Sequence, residues 1–171
     1  YYQSFNRKKI AEQINELPLE KIVTQDWGYI IRTIHPQLPC DFLVGWTREP
    51  AISSVLINQV KAKISSSFLT QTQDEVLRLE KALLVGEKEI VKQSLEKVSC
   101  LLLQLSPAIY NEKLRALKRS SQGLDCMAKS SGAGGGDCGI ALSFDSEASQ
   151  ILVERWQAAG IEVLYKERWD R

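Results

Sequence analysis

Lys129-Ser130-Ser131-Gly132-Ala133-Gly134-Gly135-Gly136-Asp137-Cys138-Gly139-Ile140-Ala141-Leu142 holds five of the ten glycines of a 171-residue chain. Glycine at that density costs conformational entropy that an ordinary turn has no need to spend. Its chemical use is to let backbone N–H groups converge on an anion with no Cβ atoms in the way. Ser130 and Ser131 add hydroxyl donors, Lys129 a positive charge, and Asp137 an acceptor able to hold the loop or a metal-bound water. The plainer alternative is a hairpin with a flexible tip. Gly134 to Gly139 satisfies the dinucleotide pattern G-x-G-x-x-G, but that pattern opens a helix, and Ile140-Ala141-Leu142-Ser143-Phe144 reads as a strand. A Walker A loop is excluded, since no Gly-Lys-Ser/Thr closes this one.

The strand before the loop, Leu124 to Lys129, follows a helical block. Ile10, Ile14 and Leu17 mark one face of a short helix that Pro18 stops, and Trp27 to Ile34 is rich in β-branched and aromatic residues, a strand ended by Pro36 and Pro39. Asp41 to Thr47 is a short apolar run and predicts a buried strand. Ser53 and Ser54 are cap candidates for a helix with Leu56, Val60 and Ile64 on one face. Asp74 predicts the cap of a second, with Val76, Leu79 and Leu83, ended by Gly86. Val91, Leu95, Val98, Leu102 and Leu105 alternate spacings of four and three in a third, which fits a helix packed in a bundle. Pro107 opens a fourth, carrying Tyr110, Leu114 and Leu117 up to Gly123. Beyond the loop, Asp145 or Ser146 caps a last helix ending at Gly160, and Ile161 to Tyr165 is a strand. The order strand, helices, strand, loop, strand, helix, strand predicts an α+β fold: an antiparallel β-sheet with helices packed on one face, of ferredoxin-like split βαβ character.

The chain carries 22 Lys+Arg against 21 Asp+Glu, a net charge of +1, which gives no global electrostatic case for binding nucleic acid. No apolar run approaches the ~18 residues of a membrane span, and Tyr1-Tyr2-Gln3-Ser4-Phe5-Asn6 lacks the pattern of a signal peptide. No nucleic-acid or membrane partner is expected. Cys40, Cys100, Cys126 and Cys138 lack zinc-knuckle spacing and His35 is far from all of them, so no metal site is expected and the cysteines read as free thiols of a cytoplasmic protein.

The glycine-rich stretch Lys129 to Leu142 resembles the third conserved motif of the GHMP kinases, the superfamily of galactokinase, homoserine kinase, mevalonate kinase and phosphomevalonate kinase. Its Ser-Gly-Ala-Gly-Gly-Gly-Asp-Cys form is most similar to the phosphomevalonate kinase branch of Gram-positive, streptococcal type. Asp41-Phe42-Leu43-Val44-Gly45-Trp46-Thr47-Arg48-Glu49-Pro50-Ala51-Ile52-Ser53-Ser54 resembles the strand and Ser-containing turn of that branch. The resemblance implies a GHMP C-terminal lobe and ATP-dependent phosphoryl transfer, with Mg2+, to (R)-5-phosphomevalonate in isoprenoid biosynthesis. It implies that Ser131, Gly132, Ala133 and Gly134, with Ser53 and Ser54 at a helix N-terminus, line the substrate site. Lys129, Ser130, Gly135, Gly136 and Asp137 would support the loop. A helix N-terminus carries about half a positive charge, so donors to a substrate phosphate make physical sense there. Plain capping remains the alternative for the two serines, and a solvated or interface lysine for Lys129.

The first two GHMP motifs, including the Gly-Leu-Gly-Ser-Ser loop that cradles ATP phosphates, are absent from these residues, and Tyr1 is not an initiator Met. The resemblance therefore implies the C-terminal half of a longer enzyme, inactive alone. Its partner would be the N-terminal half of the same protein, where the catalytic residues would lie. Residues 1–39 would end the N-terminal lobe and 40–171 form the C-terminal lobe. Mevalonate kinase or another GHMP kinase is the alternative within the superfamily, and a non-catalytic ligand-binding module the alternative outside it. A Gly135→Val change is expected to stop turnover with the fold intact.

Overall fold

A computed structural model describes residues 2–4, 7–132 and 134–170. The chain divides into two compact units, Tyr1–His35 and Pro36–Arg171. In the first, β1 (Tyr2–Gln3) pairs antiparallel with β2 (Ile30–Ile31), and α1 (Arg7–Ile14) and α2 (Leu19–Val23) lie between them in sequence. The strand expected over 27–34 is thus only two residues long, both exposed. Gly28 in the left-handed region, its N–H bonded to Asp26 Oδ1, makes a turn where a strand residue was expected.

The second unit is built on a four-stranded antiparallel sheet of order β4-β5-β3-β6. The strands are β3 (Cys40–Trp46), β4 (Cys126–Ser130), β5 (Cys138–Ser143) and β6 (Glu162–Trp169). The parallel pair β3 and β4 brackets β5, and the pair β5 and β6 brackets β3. Two interleaved split βαβ units therefore make the α+β sheet that the element order predicts. Because side chains alternate along each strand, Leu43, Ala141 and Ala128, neighbours in register, share one face. That face meets Leu56 and Val60 of α3 (Ser53–Val60), Leu114 and Leu117 of α6 (Glu112–Arg119), and Leu152 and Trp156 of α7 (Ser146–Ala158) in the main core. Gly45 is required here: a Cβ would sit 2.8 Å from the fully buried Trp156 ring. The other row, with Phe42, Ile140 and Leu142, lines a cavity of about 150 Å3 whose remaining wall includes Leu79 and Leu83 of α4 (Ser66–Val85) and Leu95 of α5 (Lys88–Leu105).

Several boundaries differ from expectation for local reasons. The N-cap of α4 is Ser65, whose hydroxyl accepts from Phe68 N, so Asp74 lies inside the helix. The N-cap of α3 is Ile52, with no side-chain bond, so Ser53 and Ser54 begin the helix instead of capping it; a 3₁₀ turn, Lys61–Lys63, ends it short of the exposed Ile64. The helix expected from Pro107 is two pieces, a 3₁₀ turn Pro107–Ile109 capped by Ser106, then α6 capped by Asn111, with Tyr110 buried between them. The last strand runs four residues beyond Tyr165 because Arg168 and Lys166 of β6 reach the buried Asp41 of β3, at 3.2 and 3.4 Å.

Candidate functional site

The exit of β3 and the β4–β5 connection reach the same end of the sheet because Trp46 pairs with Cys138 and Ser130 with Gly139. The two segments are then bonded to each other. Thr47 donates to Asp137 O through its backbone N–H at 2.8 Å and its hydroxyl at 2.9 Å, and Asp137 N–H donates to Glu49 O at 2.7 Å. Ala51 N–H donates to the Asp137 carboxylate at 3.2 Å. Ala51 lies two residues before the start of α3, so one aspartate joins the glycine-rich loop to the helix N-terminus that begins with Ser53 and Ser54. Of the two roles open to Asp137, the structure shows the bracing one. It holds a left-handed φ of 53°, uncommon for a residue with a side chain.

Ser54 is exposed in the first turn of α3, a turn without a side-chain cap. Ala133 and the Ser53 side chain lie outside the described residues. At the base of the loop Ser131 N–H donates to Cys138 O, and Gly132 carries a φ of 66° with open space where a Cβ would stand. The next glycines are different. A Cβ on Gly134 would lie 2.4 Å from Ile109 O, one on Gly136 2.5 Å from Glu49 O, and one on Gly139 2.6 Å from Leu117. These three are glycine because other backbone and side chains come too close. The expectation for Gly135→Val changes accordingly: at φ 78° its Cβ would meet Leu56 at 3.3 Å, so a valine strains the protein's own packing.

Ser130 is fully buried; its N–H donates to the Tyr110 hydroxyl, and its own hydroxyl has no partner among the described residues. Lys129, one residue earlier, stands on the opposite side of β4 and lines the apolar cavity, where burial lowers its pKa and its ammonium donates to Ser130 O. Burial, and secondarily the Asp137 charge, raise the Cys138 thiol, so it is protonated at neutral pH. Thr47, Glu49, Tyr110 and Asn111 all touch this loop and none stood out in sequence. Asn111 alone carried a usable signal, a cap residue ahead of Glu112-Lys113-Leu114. Among the described residues no group of three His, Cys, Asp or Glu can hold a metal ion.

A glycine loop joined to a helix N-terminus at one sheet end is a phosphate-handling geometry. Residues 79–162 match the family model for the GHMP kinases C terminal. The chain carries a GHMP kinase C-terminal domain. Phosphomevalonate kinase from Streptomyces sp. (strain CL190) is 30% identical over 174 residues, covering 94% of this chain and 46% of that protein. The structure of the Streptococcus pneumoniae phosphomevalonate kinase in complex with phosphomevalonate and AMPPNP aligns with a TM-score of 0.92 and 49% identity. That match covers 98% of this chain and 51% of the pneumococcal one. The L. major mevalonate kinase aligns with a TM-score of 0.67 over 84% of this chain and 46% of its own, and its 20% identity supports the fold alone. The chain spans about half the length of these relatives.

The GHMP match begins in α4 at Leu79 and ends at Glu162, the first residue of β6, so it contains the whole glycine-rich loop. The segment 41–54, the other half of the site, lies outside the family match but inside both phosphomevalonate kinase alignments, which cover nearly all of the chain.

Proposed function

We propose that this chain is the C-terminal portion of a cytoplasmic phosphomevalonate kinase, in which residues 1–39 end the N-terminal lobe and 40–171 form the C-terminal lobe. The complete enzyme transfers the γ-phosphoryl group of ATP, with Mg2+, to the phosphate of (R)-5-phosphomevalonate, giving the 5-diphosphate used in isoprenoid synthesis. The observation that carries this reading is the Ala51 N–H bond to Asp137, which ties the glycine-rich loop to the α3 N-terminus. An acceptor that is itself a phosphate needs N–H donors on more than one side, because both reacting groups are anionic. Loop amides around Gly132 and the uncapped first turn of α3 at Ser53 and Ser54 supply such donors without net charge. This chain lacks the second, ATP-cradling motif, so turnover requires the N-terminal half.

The test is ADP release by the full-length protein, measured in a coupled assay with (R)-5-phosphomevalonate and with mevalonate as acceptors. ADP release with phosphomevalonate is the expected result. Turnover with mevalonate alone overturns the acceptor assignment, and ADP release with neither overturns the reading as a phosphomevalonate kinase.

A further inference from the structure

Three consecutive residues grip the glycine-rich loop from one side. Ile109 O accepts Gly135 N–H at 2.8 Å. The Tyr110 hydroxyl accepts Ser130 N–H at 3.3 Å and is hydrogen-bonded to Ser99 Oγ, 2.6 Å away on α5. The Asn111 side-chain amide donates to Gly135 O at 3.3 Å and to Glu49 Oε2 at 2.7 Å, while its oxygen accepts Leu114 N–H at 2.9 Å and caps α6. One amide thereby joins the β3 exit, the start of α6 and the loop.

We propose that Asn111 and Glu49 are positioning residues that hold the glycine-rich loop in its phosphate-binding shape. Gly132, Gly134, Gly135 and Gly136 all sit at positive φ, where glycine moves among several wells at little cost. Such a loop keeps its amides aimed at one point only if outside groups fix it. Gly135 is the residue so fixed, with its N–H on Ile109 and its C=O on Asn111. Asn111 is in turn held by a charge-assisted bond to the Glu49 carboxylate, and Glu49 O receives Asp137 N–H on the far side of the loop. Phosphoryl transfer depends on positioning, so slack in this link reaches the reaction without either residue touching substrate. The catalytic part of this inference rests on the phosphomevalonate kinase reading; the conformational part does not.

The experiment separates the cap from the clamp. Asn111→Asp keeps an acceptor of equal capping quality and removes the donor, setting a carboxylate against Glu49. In the full-length protein it should melt close to the parent, lose at least about tenfold in kcat/KM, and exchange the amides of residues 132–136 faster in the ligand-free state. Glu49→Gln still offers an oxygen to Asn111 but gives up the charge assistance, and should show a smaller loss of turnover and of loop protection than Asn111→Asp. The double variant Asn111→Asp/Glu49→Gln rebuilds only the link to residue 49, with donor and acceptor exchanged and the charge repulsion removed, and leaves Gly135 O without its donor, so it should recover part of the slow exchange and of the turnover. Unchanged exchange and turnover in Asn111→Asp overturn the proposal, as does a double variant no better than the single one. A parent that phosphorylates no phosphomevalonate defeats the functional reading instead, while the exchange data still decide the clamp.

Discussion

Replacing Gly134 with alanine should destabilise the protein strongly, and replacing Gly132 should not, although both glycines lie in the same loop at similar φ, 77° and 66°. The difference comes from what a Cβ would meet. At Gly134 it would lie 2.4 Å from Ile109 O and 2.6 Å from Ile109 Cγ2; at Gly132 nothing stands within 4 Å. The left-handed backbone costs an L-residue about 1–2 kcal/mol at either site. Gly134→Ala adds overpacking of about 1–3 kcal/mol. It also displaces the Ile109 carbonyl that accepts Gly135 N–H, losing a further ~1 kcal/mol. The sum, about 3–6 kcal/mol, is a large part of a typical folding free energy of about 5–15 kcal/mol. At about 2–4 °C per kcal/mol for a domain of this size, the midpoint should fall by roughly 6–24 °C. Scanning calorimetry of the full-length variants measures it, with coupled ADP release alongside. Gly132→Ala should melt within a few degrees of the parent and raise the acceptor KM, since its methyl group projects into the open side of the loop. Equal melting of the two variants refutes the packing argument, and a Gly132→Ala enzyme with parental kinetics refutes the open-face argument.

Two further perturbations probe the frame and the helix end. Asp41 is buried: burial pushes its carboxyl up, but bonds from Ser149 and Arg168 and the Lys166 charge outweigh it, so its pKa lies below the ordinary value. The unfolded state therefore binds the proton more readily, and this stability is complete above the ordinary carboxylate value near pH 4 and lost as pH falls through the lower folded value. Asp41→Asn should cost about 2–3 kcal/mol at neutral pH, with the gap to the parent closing below about pH 4 in acid melting curves; a gap constant with pH would show that the ion pairs contribute nothing. Ser54→Ala should leave melting unchanged within about 0.5 kcal/mol and raise the KM for phosphomevalonate, because Ile52 and not Ser54 occupies the cap of α3. Lost stability with an unchanged KM would restore the capping alternative.

What could be seen in the sequence was whatever a short window records. The strands expected over 41–47, 124–129 and 140–144 announce themselves as short runs between turn signals, within two residues of the observed 40–46, 126–130 and 138–143, and α5 through its spacings of four and three. Errors fell where the deciding partner is remote or the window is polar. The first two turns of α4, Ser66 to Gln73, hold only Phe68 and Leu69 as apolar residues, so periodicity suggested a start near Asp74. Pro107 opens a real helical turn, but only a single 3₁₀ one, because Tyr110 turns inward to meet Ser99 and Ser130. The tail of β6 looks like charged coil until Asp41, more than a hundred residues earlier, is placed beside it.

The glycine-rich loop shows how density and use part company. Its composition pointed to anion binding, and the simplest inference gave each glycine that same purpose. In the structure Gly134, Gly136 and Gly139 admit Ile109, Glu49 and Leu117 at distances no Cβ permits, and Gly132 alone of the described loop glycines faces open space. The division follows from mechanics. Backbone amides stabilise an anion only when they already point at it, because reorienting them on binding would spend the interaction on ordering the chain. A loop made flexible enough to adopt left-handed turns must therefore be immobilised by close packing, and close packing against a backbone demands more glycine. One glycine for the ligand thus implies several for the support. The supporting contacts come from residues 47–51 and 108–111 together with Leu56 and Leu117, all distant from the loop in sequence, which is why the count of glycines was legible and their assignment was not.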